Sequence, residues 1–234
     1  MTSEGEFKPR SSWQVSKHVW YAMFMREAVS RTMSDRFAWF WMLVEPIMFI
    51  GLMVAIRQVV GSMGVSNGVD FIPWLIVGII AFTLFREVVQ KPQGAVAANK
   101  GLFAYRQVLP VDAVLVRQVI EGLLQSLVFM LFIFGASLLE FEIIPADPLS
   151  ALFIWLSVWL LAVGLSLIVS VAVSLIAEVR IFMGVIMLPL MILSGAIFPV
   201  NFLPHDILQY LLYNPVLHGI ELIRAAFFSG YKVI

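Results

Sequence analysis

Leu149 to Ala177 reads LSALFIWLSVWLLAVGLSLIVSVAVSLIA, 29 residues without one charged side chain. A helix rises 1.5 Å per residue and needs about 20 apolar residues to cross the hydrocarbon core of a bilayer. This stretch is long enough to span with some tilt. Working outward, Gly122 to Leu139 is also uncharged, and Ile181 to Pro204 is uncharged with Pro189 and Pro199 inside it. Ala38 to Ile56 is interrupted only by Glu45. Phe71 to Phe85 is shorter, but Val88 and Val89 extend it past Arg86 and Glu87, whose long side chains can snorkel toward the interface. These five spans define an all-α integral membrane protein. Composition agrees: 61% of the 234 residues are hydrophobic and 13% are charged, against about 25% charged in an ordinary globular domain.

Polar ends and loops orient the spans. Residues 1–37 are mixed and polar, and the apolar run behind them is too long for a signal-peptide core and lacks a small-residue cleavage site, so the N-terminus is read as retained. Lys8, Arg10, Lys17, Arg26, Arg31 and Arg36 precede the first span; Arg86, Lys91, Lys100, Arg106 and Arg117 lie between the second and third, and Arg180 between the fourth and fifth. Twelve of the 15 basic residues thus fall on one side, while the loop from Glu140 to Pro148 carries only acids. The positive-inside rule places the N-terminus in the cytoplasm. Between Ser11 and Arg31, Trp13, Trp20 and Phe24 share a helical face with the stem of Lys17, the composition of a helix lying in the membrane interface.

Beyond the fifth span, Asp206 can cap a helix from Ile207 to Tyr213, Asn214-Pro215 breaks it, and a second helix from Val216 to Phe228 stops at Gly230. Neither is long enough to cross alone. Together they predict a re-entrant hairpin on the side opposite the N-terminus, tolerated where protein covers its broken backbone. One domain accounts for the chain: 1–37 cytoplasmic and interfacial, 38–204 the spans, 205–231 the hairpin.

Few residues offer chemistry. Glu45-Pro46 lies about seven residues into the first span, where an ionised carboxylate costs about 2.5–3.5 kcal/mol on insertion scales, so it needs a partner on a neighbouring helix or a place in a translocation path. His218, Glu221 and Arg224 recur every third residue and share one side of the second short helix. They can bond one another and hold the hairpin, or face a polar or anionic ligand. As a metal site the set is too sparse. The polar connection from Lys91 to Asp112 carries Leu102, Phe103 and Tyr105 among charges, which suggests a protein-docking surface or a headgroup anchor. No Gly-rich phosphate loop, nucleotide-binding glycine run, Ser/His/Asp set or cysteine is present, so energy must come from a partner or a gradient. The 15 basic and 15 acidic residues cancel, giving no reason to expect nucleic acid.

Four segments together carry a resemblance: WMLVEP at 41–46, NKGLFAYRQVLPVD at 99–112, Ser194-Gly195 with Phe198-Pro199, and Tyr213-Asn214-Pro215 through His218, Glu221, Arg224 and Gly230-Tyr231. In this order and placement they resemble the permease subunits of bacterial ATP-binding-cassette exporters for capsular polysaccharide and O-antigen, most of all the Kps-type capsule exporter. The resemblance implies a homodimer of six-span subunits in the inner membrane, enclosing a channel for a glycolipid-anchored polymer. It further implies two copies of a separate ATPase holding the ATP and Mg, and additional partners across the periplasm and outer membrane. The N-terminal interfacial helix and Lys100, Gly101, Leu102, Phe103, Tyr105 and Arg106 would meet the ATPase, and the Pro199 to Tyr231 hairpin would lie at the periplasmic mouth; the residues themselves make Trp41, Glu45, His218, Glu221 and Arg224 the candidates for the substrate path. The chain would itself carry no cofactor and make no covalent bond. The implied pattern has a sixth span after the hairpin; the sequence stops at Ile234 before one, and truncation of a longer chain is the expectation. Alternatives on the same fold are export of O-antigen or of small lipophilic compounds, and from another class an intramembrane transferase using Glu45 or His218 as base.

Overall fold

A computed structural model describes residues 11–34, 38–60, 69–200 and 205–233. Every long regular element among them is an α-helix: α1 (Ser12–Ser34), α2 (Ala38–Val60), α3 (Phe71–Gln90), a short α4 (Ala95–Ala98), α5 (Pro110–Leu138), α6 (Pro148–Leu175), α7 (Val179–Leu193), α8 (His205–Leu211) and α9 (Pro215–Phe227). α2, α3, α5 and α6 are long and apolar enough to cross a membrane, and α7 is a shorter apolar helix.

α3 is the axis of the bundle. It is apolar all round, as a helix enclosed on every side must be, and Trp74, Leu75, Val77, Ile80, Leu84 and Val88 are fully buried against α5, α6, α9 and α2. The apolar window of α3 is 83% buried within the chain, that of α2 only 11%. α2 is therefore an edge helix whose outer face must meet lipid or another protein. Phe129 of α5 stacks on Trp155 of α6 with centroids 4.6 Å apart and reaches Phe227 of α9 at 5.4 Å, which locks the hairpin to the spans.

Several boundaries differ from the sequence expectation. The third span begins at Pro110 rather than Gly122, because Asp112 reaches back to accept from the Leu109 amide at 2.9 Å and starts the helix twelve residues early, with Arg117 and Glu121 inside it. The connection from Lys91 is packed in its first part, where Pro92, Gln93, Ala95 and Asn99 are buried, and exposed over most of Lys100 to Val111. The expected span Ile181–Pro204 stops as a helix at Leu193, where the chain turns through Gly195 at φ 67°; residues 201–204 lie outside those described, as do Lys8, Arg10 and Arg36 of the charge count. α8 starts at His205, so Asp206 sits in its first turn instead of capping it. At α9 the Asn214 side chain accepts from the Val216 amide at 3.0 Å, with Pro215 in the first turn, and Gly230 follows at φ 81°, a conformation that favours glycine. Asp147 caps α6 by accepting from the Ser150 amide at 3.2 Å. Hydrogen bonds from Ser150 hold its carboxyl below the usual range.

Candidate functional site

Charged side chains gather where α1 crosses the ends of α2, α3 and α5. Glu27 of α1 accepts from Arg117 of α5 at 2.7 Å and pairs with Arg31 at 3.3 Å; Arg31 reaches Glu121 of α5 at 2.5 Å. Burial pushes the Glu27 carboxyl up, but the hydrogen bond and charge of Arg117, with the charge of Arg31, outweigh it and hold the carboxyl below its usual value. The Trp20 indole N–H donates to Asp112 at 2.7 Å, so the carboxylate that starts α5 also anchors α1. Glu45 of α2 pairs with Arg86 of α3 at 2.7 Å, and Arg86 also contacts Glu87 at 2.9 Å. That pair compensates the carboxylate which insertion alone would disfavour.

Two cavities flank this contact. One of about 530 Å³ is walled by Glu27, Arg31, Trp41, Glu45, Arg117 and Glu121. The other, about 650 Å³, runs along α3 and α7 between Lys91, Arg180, Met187 and Met191. Glu45, Arg86, Glu87 and Lys91 line both, so the cavities are two sides of one polar cleft behind the edge helix. Among the expected residues, Trp41 and Glu45 belong to this cleft; His218, Glu221 and Arg224 do not. Sequence reading missed Glu27, Arg31, Arg117 and Glu121. The available signal was two oppositely charged residues on each helix at i, i+4 spacing, directly beside an apolar run.

The segment carrying Lys100, Gly101, Leu102, Phe103, Tyr105 and Arg106 is a 3-10 turn over Lys100–Ala104 followed by a second turn, in which the Val108 amide donates to the Tyr105 carbonyl at 3.0 Å. Phe103 packs against the buried cluster of Met23, Ala95, Ala113 and Val114, which seats the turn beside α1 and α5. Tyr105 is 66% exposed, and Lys100, Gly101 and Arg106 are exposed beside it while Leu102 is half-buried.

At the hairpin, Glu221 and Arg224 meet and His218 stays apart. Arg224 is fully buried; its guanidinium donates to the carbonyls of Trp74, Gly195 and Ala196 at 3.3, 2.8 and 3.0 Å and to Glu221 at 3.0 Å. It also stacks 3.5 Å from the Trp74 ring centroid. Tyr231 donates to Glu221 at 3.0 Å and accepts from the Trp74 indole at 3.2 Å. The His218 ring bonds the Leu212 carbonyl at 2.7 Å, tying α9 to the turn after α8. Arg224 has no free edge for a ligand. Among the described residues no cluster of His, Cys, Asp or Glu could hold a metal ion.

An edge helix over a charged cleft, a seated cationic turn and a hairpin wedged on the central span are the features a family assignment has to account for. Residues 18–228 match the ABC-2 type transporter family, and the chain belongs to it. It is similar to the polysialic acid transport protein KpsM of Escherichia coli, 30% identical over 224 residues that make up 95% of this chain and 86% of that protein. The capsule polysaccharide export inner-membrane protein CtrC of Neisseria meningitidis serogroup B is 27% identical over 94% of this chain and 84% of its own length. BexB of Haemophilus influenzae, of the same description, is 25% identical over 96% of this chain and 84% of its own.

Proposed function

We propose that this chain is the membrane subunit of an ATP-driven exporter that moves lipid-linked capsular polysaccharide across the bacterial inner membrane. Two copies form the channel, and a separate ATPase binds their cytoplasmic faces. The observation that carries this reading is the likeness to capsule export proteins along 94–96% of the chain. The exposed face of α2 suits a second copy, since a span buried to 11% within its own chain has most of its surface free for packing.

The ATPase would dock on Lys100, Gly101, Leu102, Phe103, Tyr105 and Arg106, with the N-terminus cytoplasmic. Phe103 is rooted among α1, α4 and α5 residues, so a push on the turn passes to α5 and, through Arg117–Glu27 and Arg31–Glu121, to α1. The α2–α3 cleft with Trp41 and Glu45 would admit the polar part of the cargo. Glu221 and Arg224 would shape the periplasmic mouth without touching cargo. Periplasm-spanning and outer-membrane export proteins would receive the polymer.

Affinity purification of the full-length tagged protein from its native host in mild detergent tests this reading. A stoichiometric ATPase subunit, with ATP-dependent movement of capsular glycolipid into vesicles, is the expected result. Movement of O-antigen or of small lipophilic compounds instead would reassign the cargo. Reproducible absence of an ATPase, with turnover retained, would overturn the exporter in favour of an intramembrane transferase.

A further inference from the structure

At the hairpin end of the bundle, remote from α1, a cavity of about 500 Å³ opens between the end of α2 and the start of α3. Arg57 and Gln58 reach it from α2, Asp70 and Phe71 from α3, and Ile72 and Phe141 supply apolar wall. The Arg57 guanidinium lies 3.9 Å over the Phe71 ring centroid, and its Nη1 is buried without a hydrogen-bond acceptor. A stacked guanidinium keeps its N–H edges in plane and free for an anion, and a buried charged donor left unmet is costly. Asp70 stands at the cap position of α3, yet its side chain makes no capping bond. Among the described residues neither Arg57 nor Asp70 forms an ion pair. The cavity thus holds one cation and one anion that do not neutralise each other, an amide, and apolar walls, at the ends of two helices long and apolar enough to cross a membrane.

We propose that this cavity binds the headgroup of a zwitterionic phospholipid carrying a primary ammonium, of the phosphatidylethanolamine type. The phosphate accepts from Arg57 and from the Gln58 amide, the ammonium donates to Asp70, and the acyl chains descend past Ile72 and Phe141. A purely anionic headgroup meets the Asp70 carboxylate, and a trimethylated one offers it no N–H donor. Such a lipid would wedge the edge helix at a fixed distance from the central span. The leaflet concerned, the periplasmic one, rests on the cytoplasmic N-terminus proposed above; the binding does not.

The test is native mass spectrometry of the full-length protein exchanged from nanodiscs of equimolar phosphatidylethanolamine, phosphatidylglycerol and phosphatidylcholine. One phosphatidylethanolamine per chain should be retained in preference to the other two. Arg57→Gln should lower its retention about tenfold, the loss expected for one charge-assisted hydrogen bond. Asp70→Leu, which leaves no acceptor for an ammonium N–H, should abolish the preference over phosphatidylcholine. Retention of phosphatidylglycerol over phosphatidylethanolamine by the wild type, or an unchanged lipid order in both variants, would overturn the proposal, the first without relying on any variant to fold. Displacement by soluble glycerophosphoethanolamine at equal concentration would assign the site to a free phosphoester and overturn the lipid. No ATPase or cargo enters the assay, so failure of the exporter reading leaves its outcome untouched.

Discussion

Replacing Arg224 by Met removes a guanidinium that satisfies the carbonyls of Trp74, Gly195 and Ala196 and the Glu221 carboxylate together. Met matches the stem in volume, so the change is mainly electrostatic. Its main consequence is a carboxylate, 3% exposed, left with Tyr231 as partner. Removing one member of a buried pair costs about 3–5 kcal/mol. For a chain of this size each kcal/mol moves a melting midpoint by about 2–4 °C, so the purified protein should melt on the order of 10 °C lower. Intrinsic fluorescence during a thermal ramp in detergent reports it, because Trp74 sits against the lost group. Arg224→Met with Glu221→Leu should melt well above the single variant, since the orphaned charge is gone. A single variant melting within about 2 °C of wild type would refute the reasoning. A double variant no better than the single would show that the cost lies in the carbonyls instead.

Tyr105→Ala should reduce the co-purifying ATPase severalfold with melting unchanged, whereas Phe103→Ala should weaken both, because only Phe103 is rooted in the α1–α5 cluster; an undiminished ATPase in the Phe103→Ala, Tyr105→Ala double variant removes the docking surface. Glu27, held below its ordinary value of 4.5, contributes stability that is fully present above that pH and is lost as the pH falls through its lowered folded value. Acidification below that value should release α1, seen as a change in the fluorescence of Trp13 and Trp20, and Glu27→Gln should flatten the transition; its survival in Glu27→Gln contradicts the assignment. Gly78→Ala would drive a methyl into the Arg224 guanidinium and to 2.7 Å from the Ala196 carbonyl, an overpacking cost of about 1–3 kcal/mol. A wild-type melting curve for that variant would show that the hairpin can shift.

Much of the bundle was legible because lipid leaves one reading for a long apolar run: α6 was expected at Leu149 to Ala177 and runs Pro148–Leu175. The early start of α5 was missed because Asp112, Arg117 and Glu121 interrupt the apolar run of residues 110–121, although Ala113, Val114, Val116 and Ile120 pack with Met23 of α1 and Arg117 and Glu121 pair with its charges. The fifth apolar run marks its turn only by Ser194-Gly195, a sign outweighed in reading by Ala196 and Ile197, which are as apolar as the helix before. Glu221 and Arg224 were found by their spacing. Their partners Trp74 and Tyr231 lie 150 and 10 residues away from them, and nothing in the intervening chain couples them. His218, alike in spacing, points instead to a backbone carbonyl six residues back.

The two sets of charges differ in a way that bears on motion. Arg224 and Glu221 are 0% and 3% exposed, while Arg86 and Glu45 are 26% and 62% exposed. A pair open on one side can part with less loss of contact than one enclosed on every side, whose opening leaves a charge stranded at several kcal/mol. A structure that must open and close therefore breaks first where its pairs are least enclosed. α2 is joined to α3 through Glu45–Arg86 and otherwise buries little of its surface, so α2 is the element able to shift, while α1 stays tied to α5 and α3, α6 and α9 keep their packing. Glu45→Gln should consequently leave the melting midpoint within about 2 °C of wild type yet change the rate of export. A large loss of stability instead would place α2 in the rigid core and remove it as the moving wall of the cleft.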